Sequence, residues 1–185
     1  MKKFVEESWL ILLLGVVFAL MLAGAQTTLS ARIRENQQRA LNEAIGEVVP
    51  HVSRTEVIEI EGYQVFKCHD EQGQLSGWAV RASGSGFVDK ITLVVGLSPD
   101  GERVTGLKVI ENVETPGLGN KIEGEWASQY EGLSFAKAIQ VEKGPPDPAR
   151  NQIQAITGAT WSSRYVTDIV NEVANRVRPK LAEHR

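Results

Sequence analysis

The chain has 185 residues, 42% of them hydrophobic, enough for one ordinary domain and an anchor but not for two large domains. Its 20 Lys and Arg stand against 23 Asp and Glu, a formal net charge of −3 without a basic face, which argues against nucleic acid as a partner. One cysteine, Cys68, excludes an internal disulfide, and with three scattered histidines it offers no metal-ligand cluster and no catalytic residue.

Residues 1–7 form a short N-terminus. From Ser8 to Ala31 no residue is charged, and Trp9 to Ala25 is almost wholly apolar. About 20 such residues span a bilayer, so residues 8–31 read as a transmembrane anchor. The competing reading is a cleaved signal peptide, because Lys2 and Lys3 precede the apolar run and Ala23-Gly24-Ala25 has the small-x-small pattern of a cleavage site. That reading predicts a secreted protein released after Ala25. The anchor is favoured, since the uncharged stretch continues to Ser30 and Arg32 and Arg34 then supply an interfacial stop. Charge counting does not fix the orientation, but a cytoplasmic N-terminus with an exported domain is compatible, as long domains cross largely regardless of flanking charge.

Residues 32–50 carry Ile33, Ala40, Leu41, Ala44, Ile45 and Val48 at helical spacing and predict an amphipathic stalk helix ended by Pro50. In the remaining domain, residues 51–185, strand-like runs cover Val57–Ile60, Tyr63–Cys68, Gly77–Ala82, Phe87–Leu97 and Val104–Ile110. Asp70-Glu71-Gln72-Gly73 and Ser98-Pro99-Asp100-Gly101 are tight turns between them, which makes the sheet antiparallel. Gly84-Ser85-Gly86 lacks the third glycine and following helix of a dinucleotide fingerprint and reads as a bend. Cys68 reads as a packed strand residue. Glu114-Thr115-Pro116-Gly117-Leu118-Gly119 is too rich in proline and glycine for helix or strand and must be a shaped loop. A short helix over Glu125–Tyr130 and a proline-rich connection over Lys143–Pro148 follow.

The last helix is predicted from Thr160 to the break at Pro179, because Trp161, Tyr165, Ile169, Val173 and Val177 recur every four residues with Val166 and Val170 beside them. On that stripe Trp161 reads as a core residue. The helix is preceded by Thr157-Gly158-Ala159 and opens on Thr160-Trp161-Ser162-Ser163. A first helical turn presents unpaired N–H groups and the positive end of the macrodipole, so Thr160, Ser162 and Ser163 stand where a phosphate could be held. The plain alternative makes Thr160 an N-cap, contributing about 1 kcal/mol to helix stability.

Two loops taken together carry a resemblance. Thr157-Gly158-Ala159-Thr160 is similar to the S/T-G-A-T flavinylation motif, and ETPGLG over Glu114–Gly119 is a hallmark of the same FMN-binding domain. With its N-terminal anchor the chain resembles the G subunits of Rnf-type electron transport complexes and, more distantly, the C subunits of sodium-pumping NADH:quinone oxidoreductases. The resemblance implies an α+β fold: a single N-terminal transmembrane helix followed by one FMN-binding domain, residues 51–185, with a twisted antiparallel sheet flanked by helices. It implies FMN attached covalently through its phosphate to Thr160, with Thr157, Gly158, Ala159, Ser162 and Ser163 around the phosphate. Glu114 and Thr115 would make polar contacts to the flavin, and Leu118 an apolar one between Gly117 and Gly119. Lys121 and Trp126 are secondary candidates. One position departs from the motif: the family usually has an aspartate three residues before its first Thr or Ser, and here stands Gln154.

A threonine hydroxyl is a weak nucleophile, and no base or metal cluster lies near Thr160 in sequence to activate it. A separate enzyme is therefore required, and the resemblance names an FAD-dependent, magnesium-requiring flavin transferase. The resemblance further implies an electron-carrying subunit, not a catalyst alone, of a membrane-bound ion-translocating oxidoreductase of the ferredoxin:NAD⁺ type. Its partners would be the other membrane subunits, its place the bacterial inner membrane with the FMN domain on the periplasmic face. A second reading is an exported FMN-domain module that binds or senses outside any pump, with flavin loose or absent.

Overall fold

The computed structural model describes residues 2–184, with side chains from Ser8 onward. It divides into two units, Met1–Ala40 and Leu41–Arg185. The first helix, α1 (Lys2–Val48), runs through both the expected anchor and the expected stalk without a break and ends just before Pro50. Within the first unit it is long and apolar enough to cross a membrane, and large side chains such as Ile11, Leu20 and Leu22 are exposed.

The second unit is built on an antiparallel meander in sequential order: β1 (Arg54–Ile60), β2 (Tyr63–His69), β3 (Leu75–Ser85), β4 (Lys90–Leu97) and β5 (Val104–Glu111). All five expected strands are present, in the expected antiparallel arrangement. β4 begins at Lys90 rather than Phe87, because Gly86–Asp89 is the hairpin turn, closed by Gly86 N–H donating to Asp89 O at 2.7 Å. Phe87 and Val88 continue an apolar run in sequence but are exposed on that turn.

Strand alternation sends side chains to two faces. On β4, Ile91, Leu93, Val95 and Leu97 join the larger core, with Val65, Trp78 and Val80 from β2 and β3. The same core receives α2 (Thr160–Arg176) through Val166, Ile169, Val170 and Val173. Val94, Ala79, Phe66 and Cys68 face the other way and pack against Leu41, Ala44, Ile45 and Val48, the end of α1. Burial pushes the Cys68 thiol up to about 12.

The closeness of that second contact rests on paired glycines. Gly96 and Gly106 are register partners on β4 and β5, and a side chain on Gly96 would run into the carbonyl of Val48. At Gly106 a Cβ would stand 2.9 Å from Val48 Cα, so the two glycines open a notch for the helix end. Thr105 Oγ1 closes it by donating to Val48 O at 2.6 Å.

The sheet thus has helices on both faces, the α+β arrangement expected. The short helix expected over Glu125–Tyr130 is present as a 3₁₀ helix, Gly124–Tyr130. Two details differ. A two-stranded parallel pair, β6 (Gln140–Glu142) and β7 (Gln152–Gln154), lies beside the connection at Lys143–Pro148. And α2 stops at Arg176 rather than running to Pro179: proline cannot donate to an interior helix turn, but it fits the first turn of α3 (Arg178–Leu181).

Candidate functional site

The loop at 114–119 is a closed turn. Thr115 O accepts from Leu118 N at 3.1 Å and from Asn120 N at 3.2 Å, and Asn120 Oδ1 accepts from Gly117 N at 2.8 Å. Gly117 has φ +77°, a conformation that glycine adopts without strain. The segment before α2 is equally determined. Gly158 turns the chain at φ +83°, and Ala159, not Thr160, is the N-cap, without a side-chain cap bond. Ser163 takes over that duty: its Oγ accepts from Ile156 N at 3.0 Å and donates to Ala159 O at 3.1 Å. Because Ser163 N–H is the first to reach an i−4 carbonyl, that of Ala159, the N–H groups of Thr160, Trp161 and Ser162 have no such partner in the helix.

The two loops meet. A Cβ on Gly158 would stand 3.2 Å from Leu118 Cδ2, and between the loops lies a cavity of about 130 Å³. It is lined by Phe87, Thr115, Leu118, Gly119, Gly158, Ala159, Thr160, Trp161 and Ser162. Segments some 40 residues apart in sequence converge there, with the hairpin tip as a third contributor. A larger groove of about 550 Å³ follows the β3–β4 hairpin from Ser83 to Lys90, but it is open and contains neither loop.

Of the residues singled out from sequence, Thr115, Leu118, Gly119, Gly158, Ala159, Thr160 and Ser162 line the cavity, and Thr157, Gly117, Glu114 and Ser163 do not. Thr160 is half-buried, and Leu118 is 44% exposed at the rim. Ser163 is fully buried and committed to the helix start. Ser162 gives its one proton to Glu114 Oε2 at 2.7 Å, which leaves its hydroxyl only acceptor lone pairs toward the cavity. Glu114 turns inward: its Oε1 accepts from Phe87 N at 2.7 Å and Val88 N at 3.2 Å, and its side chain is almost wholly buried. Lys121 is exposed on a 3₁₀ turn over Gly119–Ile122. Trp126 donates from Nε1 to the carbonyl of Gln154 at 2.7 Å and packs edge-on to Tyr130, 5.6 Å between centroids.

Trp161 departs from its expected place. Instead of entering the core it is 57% exposed, tilted against Tyr165 at 6.4 Å and under the Arg164 guanidinium at 5.3 Å. The rest of the stripe is inside: Val166, Ile169, Val170, Val173 and Val177 are buried, and Tyr165 partly so. Phe87 and Trp161 are the two lining residues that the sequence does not mark as such: the apolar run places Phe87 in a strand, and the helical period places Trp161 in the core. Behind the cavity a polar chain enters the core, with Thr167 Oγ1 donating to Ser163 O at 2.9 Å and standing 2.7 Å from the Tyr130 hydroxyl. Burial raises the Tyr130 phenol well above its ordinary value, so it remains neutral.

The family model for the FMN-binding domain matches residues 86–175, which hold the hairpin tip, both loops and almost all of α2. Among solved structures, that of the C subunit of the Na⁺-translocating NADH-quinone reductase from Parabacteroides distasonis superposes with a TM-score of 0.61 at 17% identity, covering 80% of this chain and 95% of that one. At that identity the likeness concerns the fold. The G subunit of the Na⁺-translocating ferredoxin:NAD⁺ oxidoreductase complex of Acetobacterium woodii is 40% identical over 100 residues, which span 54% of this chain and 48% of that one. The G subunit of the ion-translocating oxidoreductase complex of Methanosarcina acetivorans is 30% identical over 173 residues, 89% of each chain. Matched through nearly its full length, the chain belongs to the family formed by the G subunits of ion-translocating oxidoreductase complexes and the C subunits of Na⁺-translocating NADH-quinone reductases.

Proposed function

We propose that the chain is the electron-carrying flavoprotein subunit of a membrane-bound, ion-translocating oxidoreductase of the ferredoxin:NAD⁺ type, with FMN esterified through its phosphate to Thr160. The observation that supports this most is the convergence of both motif loops on one cavity with Thr160 among the residues of its wall. The residues there fit the group. The N–H groups of Thr160, Trp161 and Ser162, at the positive end of the α2 dipole, suit a phosphodiester. Phe87, Leu118 and Trp161 offer apolar surface for a ring system, and Gly119 allows close backbone approach. Bound FMN supplies reversible electron uptake, and the chain supplies binding, orientation and tuning.

A cavity of about 130 Å³ would enclose only part of such a ring system, and the rest would be accessible to electron partners. The tether makes that open seat workable, because a covalently held group stays at high effective concentration beside its site. Attachment would be the work of a flavin transferase acting on FAD: the Thr160 hydroxyl would give up its proton to the transferase as its Oγ bonded to the FMN phosphorus, and the pyrophosphate P–O bond would break to release AMP. The apolar helix would hold the domain at the bacterial inner membrane, with residues 51–185 on the periplasmic face beside the other subunits.

A denaturing gel viewed under ultraviolet light tests the covalent claim. Protein from a host with an active flavin transferase should give a fluorescent band, and Thr160→Ala a dark one. A dark band from the unaltered chain would sink the claim. Co-purification with membrane subunits separates a member of a complex from a free-standing FMN module.

A further inference from the structure

Glu114 is a buried carboxylate without a cation. Its side chain is almost fully enclosed, and among the described residues it makes no ion pair. Its partners are all neutral donors: Phe87 N and Val88 N on Oε1, and the Ser162 hydroxyl on Oε2. These come from the hairpin tip and the start of α2, while Glu114 itself opens the 114–119 loop, so one side chain ties together the three segments that wall the cavity. Two glycines make room for it. A side chain on Gly86 would strike Oε1, and a Cβ on Gly119 would stand 2.8 Å from Oε2 and 2.9 Å from Ser162 Oγ.

Geometry alone does not call for a charge here. A glutamine has the same reach and could accept the two backbone N–H groups through its carbonyl oxygen. Burying a carboxylate that only dipoles compensate is unfavourable, and in a water-poor interior its field extends further than it would at the surface. Ser162 and Gly119, which touch the carboxylate on one side, line the cavity on the other.

We propose that Glu114 is a positioning residue that never touches the flavin: it latches the three cavity walls together and, one side chain behind them, holds a fixed negative charge that lowers the midpoint potential of the FMN. The proposal rests on FMN being carried at Thr160. A negative charge behind the wall opposes the arrival of an electron in the cavity. Removing the charge while keeping the shape therefore raises the potential.

The experiment uses the full chain in membranes of a host with an active flavin transferase, and compares the unaltered protein with Glu114→Gln, Glu114→Ala and Asp89→Asn. Asp89 is an exposed carboxylate on the same hairpin and serves as the surface-charge control. Flavin loading is read from gel fluorescence and the midpoint potential from a redox titration at low and high salt. The expected result is a fluorescent Glu114→Gln band with a midpoint above that of the unaltered protein at both salt concentrations, because salt screens surface charges far more than buried ones. Any shift from Asp89→Asn should vanish at high salt. Glu114→Ala should lose thermal stability and flavin loading as well. A Glu114→Gln protein that is loaded and has an unchanged or lower midpoint overturns the proposal, and so does a Glu114→Gln protein that folds but does not load. A dark band from the unaltered protein refutes covalent FMN at Thr160, on which the proposal rests, and is told apart from both.

Discussion

The two faces of the sheet are built on different principles. The face toward α2 carries the cavity and is tied by polar bonds: Glu114 to Ser162 and the hairpin tip, Ser163 to Ile156 and Ala159, Thr167 to Tyr130. The face toward the end of α1 is small-residue packing, with Gly96, Gly106, Ala79 and Cys68 admitting Val48 and its neighbours. The first can change chemically while the fold survives. The second can lose stability while the chemistry is untouched.

The sharpest test of this division is Thr160→Ala, which should abolish the fluorescent band while leaving the melting temperature of the flavin-free protein within about a degree, since a half-buried hydroxyl that caps nothing contributes little. Gly96→Ala works in the opposite direction: its Cβ meets the Val48 carbonyl, and overpacking there should cost about 1–3 kcal/mol in urea unfolding, with folded molecules still carrying flavin. Equal loss of flavin and stability in Gly96→Ala would break the comparison. Thr167→Val leaves the buried Tyr130 hydroxyl without its partner and should destabilise by about 1–3 kcal/mol, showing that the polar face also bears load beneath the cavity.

Smaller effects follow from titration. Cys68, with its pKa raised by burial from 9.0 to about 12, should resist thiol reagents at neutral pH and react only on unfolding. Glu61, held below its ordinary value by its hydrogen bond and charge pairing with Lys180, gives stability that is present above pH 4.5 and is lost as pH falls below it. That exposed pair should contribute least, and less still in high salt.

Much of the fold is legible in the residues themselves. Alternation in Val104–Ile110 and the Asp-Gly of Ser98–Gly101 mark strands and a hairpin by local chemistry, and the buried part of the α2 stripe follows from its period. What escapes is whatever depends on a distant partner. Phe87 and Val88 have strand-like side chains, yet their N–H groups are held by Glu114, 26 and more residues away. Periodicity counts Trp161 into the core, but it cannot tell that the first turn of α2 borders a cavity. Gly96 and Gly106 look like ordinary strand glycines until Val48 is set between them. β6 and β7 are three residues each, too short and too polar for a pattern. In the site, two motifs could be read from the residues, and their meeting only through the family resemblance; the hairpin tip that joins them in the cavity wall could not.

Gln154 lies upstream of Thr160 on β7 with both of its backbone groups engaged: Gln129 Oε1 accepts its N–H at 2.8 Å, and Trp126 Nε1 donates to its carbonyl. Its side chain is exposed. The fold therefore grips the main chain at this position and ignores the side group, so the residue is free to serve as a label for an outside reader. Replacing Gln154 with aspartate should leave folding alone; a change confined to the rate at which the band becomes fluorescent would mark position 154 as an address written on the surface rather than a part of the machine.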